Sequence, residues 1–511
     1  MTIMTKPRQF MPRRRGAMPV MAAAALCLSA GCSAATTPAT GGLAPMELGV
    51  NVASSVYYGR ERTFANLAFA AGAWRDPSAG WSDLAATKMT AAGYPVSAGA
   101  LALNVPQTVW QGQATKITCT WSGSGNVRFD GDTRGGGFGR KGSFTWPGRK
   151  GDAPAGIIVY VTDIDPAKPF ADLDCREPEL ASAGVFDQRL VTDLKSFSVL
   201  RFLDWSSANG NPAQVTWAKR TIPDRLNQNG QDGIALEHAI DLANAADADA
   251  WFTIPLNADD DYVRRAATLI RDRLSPKHRA YLELSNETWN FSFGQAGQLL
   301  NEGMAGKLSP DKYSNNLLRY AERTTGMFRI ATEVFKAAPA RLVRTVNTQN
   351  DNPWATEQVM NFRDTAKWVD AIATAPYFGH DFFSGPRATM TDLPQLFATL
   401  EAQRVQTIDK AVQQKAIAAR FGKRYIAYEG GQHIVAQGAN AATAAAMQRS
   451  PLMYEAYKRY LSDWRSKIGD TLTLYAATGS ISQYGSWGMR EYPGQPLDQA
   501  PKWRAAQEFA R

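Results

Sequence analysis

Two glutamates follow apolar segments of the chain and could form a catalytic pair. Glu287 lies just after the segment 280–284, and Glu429 lies just after the segment 424–428. Two carboxyl groups that face one another across a sugar can cleave a glycosidic bond. One protonates the leaving oxygen, and the other attacks or stabilises the anomeric carbon. Either glutamate alone could instead cap a helix or form a surface ion pair, so their relative position decides between these interpretations.

Eight apolar segments of strand length alternate with amphipathic helical stretches and must position these glutamates. The segments are 48–52, 198–203, 250–254, 280–284, 341–346, 369–374, 424–428 and 471–476. This alternation predicts an α/β fold of the (β/α)8 TIM-barrel type, with an open doubly wound sheet as the competing architecture. In a barrel the carboxyl ends of all strands face one mouth, so Glu287 and Glu429 would meet there, after strands four and seven.

Residues 94–165 show a different sequence pattern, in which short segments of alternating apolar and polar residues are separated by Gly-rich turns. This pattern predicts a small antiparallel β domain inserted into the barrel. The run Gly137–Gly142 satisfies GxGxxG, but no helix follows it, which argues against a dinucleotide site. We therefore divide the chain into a signal peptide (1–31), a flexible tether (32–45), the first barrel strand and helix (46–93), the inserted β domain (94–165) and the remaining barrel (166–511).

The Asn286-Glu287 pair after strand four, with Glu429 after strand seven, resembles glycoside hydrolase clan A, the retaining (β/α)8-barrel glycosidases. The resemblance covers the barrel and leaves the insert unexplained. It implies that Glu287 is the general acid/base and Glu429 the nucleophile. It also implies that Asn286 binds the sugar 2-hydroxyl and that Arg201 keeps the nucleophile ionised. The run Ser-Asn-Glu-x-Trp-Asn further resembles bacterial lipoproteins described as cellulose-binding.

The same resemblance suggests aromatic residues that contact substrate. Tyr377 and His380 follow strand six, where clan members carry a Tyr or His near the nucleophile, and Trp487 follows strand eight, where a Trp often floors the sugar pocket. Trp205, after strand two, is a further candidate. The alternatives are that Trp205 and Trp487 belong to the core, that His380 is a satisfied loop residue, and that Arg201 neutralises Asp204.

The N-terminus predicts a lipid anchor. Its first 31 residues contain five Lys and Arg and no acid, and an apolar run from Met18 to Ala30 follows the last of these cations. That layout is typical of a signal peptide and too short for a membrane span. It ends in Leu-Ser-Ala-Gly-Cys, which resembles a lipobox and implies acylation of Cys32. Ser33 after it resembles lipoproteins of the Gram-negative outer membrane, whereas an ordinary secretory signal is the alternative.

Charge and the remaining cysteines restrict the partners. Five of the nine net positive charges lie in residues 1–31, which leaves four over the other 480 residues. This is too dilute to track a phosphate backbone, so we expect no nucleic-acid partner. Cys119 and Cys175 remain outside the leader, and in an oxidising compartment they predict one disulfide, with two buried free thiols as the alternative.

Together these patterns predict a retaining glycoside hydrolase that cleaves a β-linked poly- or oligosaccharide. We expect a monomer that needs no metal and no cofactor and is held at the membrane by its N-terminal lipid. Asp259–Asp261 is expected to cap a helix rather than to bind calcium. The alternative function is a non-catalytic carbohydrate-binding envelope lipoprotein on a silent barrel. A structural envelope protein is a third possibility, in which the Glu and Trp residues would be scattered.

Overall fold

Two sheets organise the part of the chain that the computed structural model describes, which is residues 46–56, 59–103, 110, 112–148, 156–229 and 233–510. One is a closed barrel of eight parallel strands, and the other is a nine-stranded antiparallel sheet that lies between the first and second barrel strands in sequence. The predicted TIM barrel with an inserted β domain is therefore confirmed.

The first barrel strand leads into the inserted sheet. The strands of this part of the chain are β1 (Leu48–Asn51), β2 (Trp74–Asp76), β3 (Ser82–Asp83), β4 (Gly99–Leu103), β5 (Thr115–Ser122), β6 (Asn126–Gly131), β7 (Gly135–Phe138), β8 (Lys141–Trp146), β9 (Ile157–Thr162) and β10 (Ala171–Arg176). The order of strands in the inserted sheet is β10-β5-β8-β7-β6-β9-β4-β2-β3. Alternate side chains of β5 and β9, such as Ile117 and Val159, are fully buried, so the insert has a hydrophobic core of its own.

The inserted sheet is larger than the predicted range 94–165. β2 and β3 have only three and two residues, too few to show a period-two pattern, and β10 carries two aspartates among its six residues. Gly137–Gly142 spans the β7–β8 hairpin, as expected from the lack of a following helix. The structure of this hairpin therefore does not support a dinucleotide-binding site at the GxGxxG run.

The predicted disulfide between Cys119 and Cys175 is confirmed. The two cysteines are direct neighbours in the register of β5 and β10, and both are fully buried. Because β10 is itself an edge strand of the inserted sheet, the bridge closes within the insert.

The rest of the chain completes the barrel. Its helices and strands are α1 (Gln188–Leu194), β11 (Val199–Arg201), α2 (Leu236–Ala246), β12 (Asp249–Ile254), α3 (Asp260–Arg273), β13 (Ala280–Leu284), α4 (Gly294–Ala305), α5 (Lys312–Val334), β14 (Leu342–Asn347), α6 (Pro353–Asn361), α7 (Thr365–Trp368), β15 (Ala371–Thr374), β16 (Tyr377–Phe378), α8 (Leu393–Arg420), β17 (Arg424–Ala427), β18 (Gly431–Gln432), α9 (Ala441–Arg449), α10 (Pro451–Asp463), β19 (Leu472–Leu474) and α11 (Pro501–Phe509). The barrel order is β1-β11-β12-β13-β14-β15-β17-β19, and β19 pairs with β1 to close it. All eight predicted barrel strands are present.

The barrel interior changes from apolar to charged toward the carboxyl ends of its strands. Trp251 and Tyr281 stack inside the barrel with ring centroids 5.2 Å apart. Arg201 pairs in register with Asn51 on one side and with Trp251 on the other, and it is fully buried. A buried cation needs anionic partners, so carboxylates are expected beside Arg201 at this end of the barrel.

The predicted signal peptide, the tether and Cys32 lie outside the described residues. Among the helices of the described ranges, none combines the length and the apolar composition that a membrane crossing requires.

Candidate active site

Arg201 lies at the centre of the site and connects two carboxylates. Its Nη1 donates to Glu429 Oε1 over 2.7 Å, and its Nε donates to Glu283 Oε2 over 3.0 Å. Burial alone would lower the pKa of Arg201, but Glu283 and then Glu429 raise it above its ordinary value. The guanidinium is therefore permanently charged, and its hydrogen-bonded carboxylates are these two rather than Asp204.

Glu429 receives one donor on each carboxylate oxygen. Arg201 serves Oε1, and the Tyr377 hydroxyl donates to Oε2 over 2.9 Å. Tyr377 is held by a short parallel pairing of β16 with β18, which sets Tyr377 opposite Gly431 just after Glu429. Burial, and then the charge of Glu429, raise the pKa of Tyr377, so its hydroxyl keeps the proton that it donates. The two hydrogen bonds fix the orientation of the Glu429 carboxylate.

Glu287 lies in a strained turn directly after β13. Its φ is +39° and that of Ser285 is +58°, a region that residues with a side chain rarely adopt. Asn290 Nδ2 donates to Glu287 Oε2 over 2.8 Å. Burial, and then the nearby charge of Glu429, raise the pKa of Glu287 to about 7. Glu287 thus holds a proton up to near-neutral pH.

The side chain of Asn286 is fixed by polar contacts with Arg201 and Asn209. Its Oδ1 accepts from Arg201 Nη2 over 2.9 Å, and its Nδ2 donates to Asn209 Oδ1 over 3.1 Å. The side chain is 2% exposed. Since an amide nitrogen carries two hydrogens, one remains for a substrate hydroxyl.

Four aromatic rings form a continuous wall beside Glu429. His433 contacts Tyr377 and Trp487, with ring centroids 5.4 Å apart in both cases, and His380 stacks on His433 at 4.4 Å. Burial, and then His380, lower the pKa of His433 to about 4, so this imidazole is neutral near pH 7. The structure thus brings the predicted Tyr377, His380 and Trp487 together, and it adds His433.

A cavity of about 250 Å³ opens next to this wall and contains a further carboxyl group. Its lining includes Trp487, Tyr475 and Asp204. Burial, and then Glu429, raise the pKa of Asp204 to about 6, while Tyr475 donates a hydrogen bond to it. The cavity therefore combines a planar aromatic face with hydrogen-bonding groups, as a sugar requires.

The sequence reasoning missed Glu283, Asn51, Asp204 and Tyr475. Two signals could have found the first two. Glu283 is the one charged residue in the buried strand Ala-Tyr-Leu-Glu-Leu, and Asn51 is the polar last residue of β1. Asn51 Oδ1 accepts from Arg201 Nη1 over 2.9 Å, so both residues help to hold the arginine.

Trp205 is a correction to the predicted set. Its ring packs against Phe202 with centroids 5.1 Å apart, and its Nε1 donates to the Ala53 carbonyl over 3.0 Å. At 2% exposure it belongs to the core between barrel and insert loops rather than to the sugar-contacting wall. Trp205 follows an apolar run, and such a run can precede either a core residue or a residue at the barrel mouth. The sequence therefore could not distinguish these two positions.

Within the described ranges, no group of three or more His, Cys, Asp or Glu side chains is arranged to hold a metal ion. The acidic run that begins at Asp259 has a structural role, because Asp259 Oδ1 accepts from the Tyr262 amide over 2.7 Å and caps α3.

Comparison with known proteins gives similarity of fold only. No family model and no curated protein matches the chain. A GH51 arabinofuranosidase from Xanthomonas axonopodis pv. citri matches with 13% identity and a TM-score of 0.39, over 56% of this chain and 60% of that one. A 4-O-α-L-rhamnosyl-β-D-glucuronidase from Fusarium oxysporum 12S matches with 12% identity and a TM-score of 0.41, over 63% and 64%. An endo-1,4-β-D-mannanase from Thermotoga petrophila RKU-1 matches with 12% identity and a TM-score of 0.35, over 63% and 93%.

The chain thus spans about 60% of the length of that arabinofuranosidase. Because these similarities are weak, function has to be inferred from the side chains at the barrel mouth. Glu287 holds a proton near neutral pH. It lies close to Glu429, whose two carboxylate oxygens each accept a hydrogen bond. Two carboxyls in such different environments can act as acid and as nucleophile at one pH.

Proposed function

We propose that this protein is a retaining glycoside hydrolase that cleaves a β-linked poly- or oligosaccharide. The observation that carries the proposal is the division of labour between Glu287 and Glu429. Burial and the neighbouring charge of Glu429 raise the pKa of Glu287 to about 7, whereas Arg201 and Tyr377 donate to Glu429. A passive binding surface has no need for this arrangement of carboxyl groups.

The first half of the proposed reaction forms a covalent glycosyl-enzyme. Glu287 donates its proton to the glycosidic oxygen as the bond breaks, and Glu429 attacks the anomeric carbon. Arg201 and Tyr377 hold the attacking carboxylate in place, and Asn286 donates to the sugar 2-hydroxyl.

In the second half, Glu287 acts as a base. It takes a proton from a water molecule that attacks the anomeric carbon and releases Glu429. We expect the two carboxyl groups to lie about 5–5.5 Å apart, the separation that leaves no room for water on the nucleophile side. Two displacements return the starting anomeric configuration.

The rings of His433 and Trp487 fit the apolar face of a sugar, and Asp204 fits its hydroxyl groups. This assignment is supported by the wall of ring contacts and by the cavity beside it. Two planar rings and a hydroxyl-binding carboxyl require a ring-shaped polyol, which is consistent with a glycan substrate.

A substrate panel tests the proposal. The wild-type protein is incubated with β-glucans, mannans, xylans and arabinans, and released reducing ends are measured. We expect activity on at least one class, its loss in Glu429→Gln, and its retention in Glu455→Gln, an exposed glutamate on α10. Binding of a glycan without any release of reducing ends would support the non-catalytic carbohydrate-binding alternative instead.

A further inference from the structure

A second cavity, of about 300 Å³, begins at the residues that follow Asp204 in the chain. Asp204 lines the 250 Å³ cavity beside the aromatic wall, whereas the next two residues, Trp205 and Ser206, line the second one. The loop that follows β11 forms most of its wall, and Pro255 and Tyr262 close it from the side of β12 and α3. One loop therefore serves both cavities.

The same loop also contacts Asn286, the neighbour of the predicted acid Glu287. Asn209 accepts a hydrogen bond from Asn286 over 3.1 Å, and Gly210 and Pro212 line the second cavity. Between them, Asn211 Nδ2 donates to Gln298 Oε1 over 2.9 Å, which anchors the loop to α4. One fixed loop therefore connects Asn286 with the lining of the second cavity.

Cationic side chains line the second cavity. Lys219 and Arg220 line it together with hydroxyl and amide side chains, and none of its described lining residues is acidic. The 250 Å³ cavity, by contrast, is lined by two acids, Glu61 and Asp204, and one cation, Arg60. An anionic group is therefore attracted to the second cavity.

Lys219 supplies the uncompensated charge. Arg220 is balanced by Glu237, to which its Nη2 and Nη1 donate over 2.7 and 2.9 Å, and it stacks over Trp217 at 4.2 Å. Lys219 Nζ donates to Gln214 Oε1 over 3.0 Å, and it forms no ion pair with any acid in the described ranges. Lys219 and Gln214 both line the cavity.

We propose that this cavity is a subsite for an anionic group, a uronate carboxylate or a sulfate ester, on a sugar unit next to the one that is cleaved. The inference rests on the proposed glycosidase function and narrows its substrate to acidic glycans. Lys219 recognises the charge, and the hydroxyl group of Thr216 donates a hydrogen bond to the anion.

The test compares oligosaccharides that differ only in charge. Glucuronic-acid-substituted xylotriose is paired with its carboxyl-reduced form, and a sulfated galactan oligosaccharide is paired with its desulfated form. Binding is measured by calorimetry in the Glu429→Gln background, where no cleavage intervenes. We expect the anionic member of at least one pair to bind about five-fold more tightly at low salt, and the preference to shrink as salt rises.

Lys219→Gln should abolish that preference. Lys195→Gln is the matched control, because Lys195 is exposed and caps the end of α1 at the opposite face of the barrel. Equal affinity within every pair, including no binding to any, or an unchanged preference in Lys219→Gln, would overturn the subsite. If the wild-type protein cleaves no glycan, but the Glu429→Gln protein still prefers the anionic member and Lys219→Gln abolishes that preference, the proposed function is overturned and the subsite stands.

Discussion

At the residue scale, the site depends on how Arg201 divides its hydrogen bonds. The guanidinium contacts Glu283, Glu429, Asn286 and Asn51 at once. One planar group therefore holds the proposed nucleophile Glu429, the residue that we propose binds the sugar 2-hydroxyl, Asn286, and two residues of the barrel wall. A lysine in this position would offer a single point charge and could not hold the same set.

The first prediction concerns pH. Because burial and Glu429 raise the pKa of Glu287 to about 7, the acid form is present below that pH and is lost as pH rises through it. For substrates whose leaving group needs a proton, kcat/KM should therefore fall on the alkaline side with an apparent pKa near 7. In Glu287→Ala an aryl glycoside with an activated leaving group should still form the glycosyl-enzyme. A wild-type profile that stays flat from pH 5 to 9 would refute this role of Glu287.

The second prediction concerns Tyr377. Tyr377→Phe removes the donor to Glu429 Oε2 and leaves the packing of the ring. A hydrogen bond to a charged group contributes about 1.5–3 kcal/mol, so kcat/KM should fall about 10- to 100-fold. Tyr313→Phe is the control, because Tyr313 on α5 is 60% exposed, and it should leave kcat/KM unchanged. Equal kinetics for the two variants would show that Tyr377 does not position the nucleophile.

At the element scale, the barrel was predictable and the edges of the insert were not. Strands of a parallel barrel are buried on both faces and leave continuous apolar runs, which is why all eight appear in the sequence. Edge strands such as β2 and β3 are too short to leave a pattern. Likewise, the sequence located Glu287 and Glu429 by their strand ends, but the pairing of Asp204 with Tyr475 beside them follows from three-dimensional packing.

The third prediction concerns the disulfide of the insert. Cys119 and Cys175 are separated by 56 positions, and in the chain-entropy model closing such a loop stabilises the fold by about 4 kcal/mol. The double substitution of both cysteines by Ala should lower the unfolding temperature of the insert, as should reductant added to the wild-type protein. Calorimetry with and without reductant provides the measurement. A wild-type transition that reductant does not move would contradict the stabilising role of the bridge.

At the scale of the whole molecule, the barrel and its inserted sheet follow in sequence a leader that we propose is lipidated at Cys32. Several acyl chains on one residue anchor a protein stably, where a single chain gives only marginal binding. Such an anchor would hold the protein at the outer membrane of a Gram-negative cell.

The fourth prediction tests this anchor. The wild-type protein, expressed with its full leader in a Gram-negative host, should partition into the detergent phase of a Triton X-114 separation. Cys32→Ser should move it to the aqueous phase or leave it uncleaved. If the wild-type and Cys32→Ser proteins both remain in the aqueous phase, the leader is an ordinary secretory signal.

The central claim is double displacement by Glu287 and Glu429, and the anomeric configuration of the first product tests it most directly. Proton NMR spectra recorded in the first minutes of hydrolysis, before mutarotation, identify that anomer. Two successive displacements at one carbon predict a β product from a β-linked substrate. Initial release of the α anomer would contradict the account, because it would mean that water attacks the sugar directly and that Glu429 is not the nucleophile.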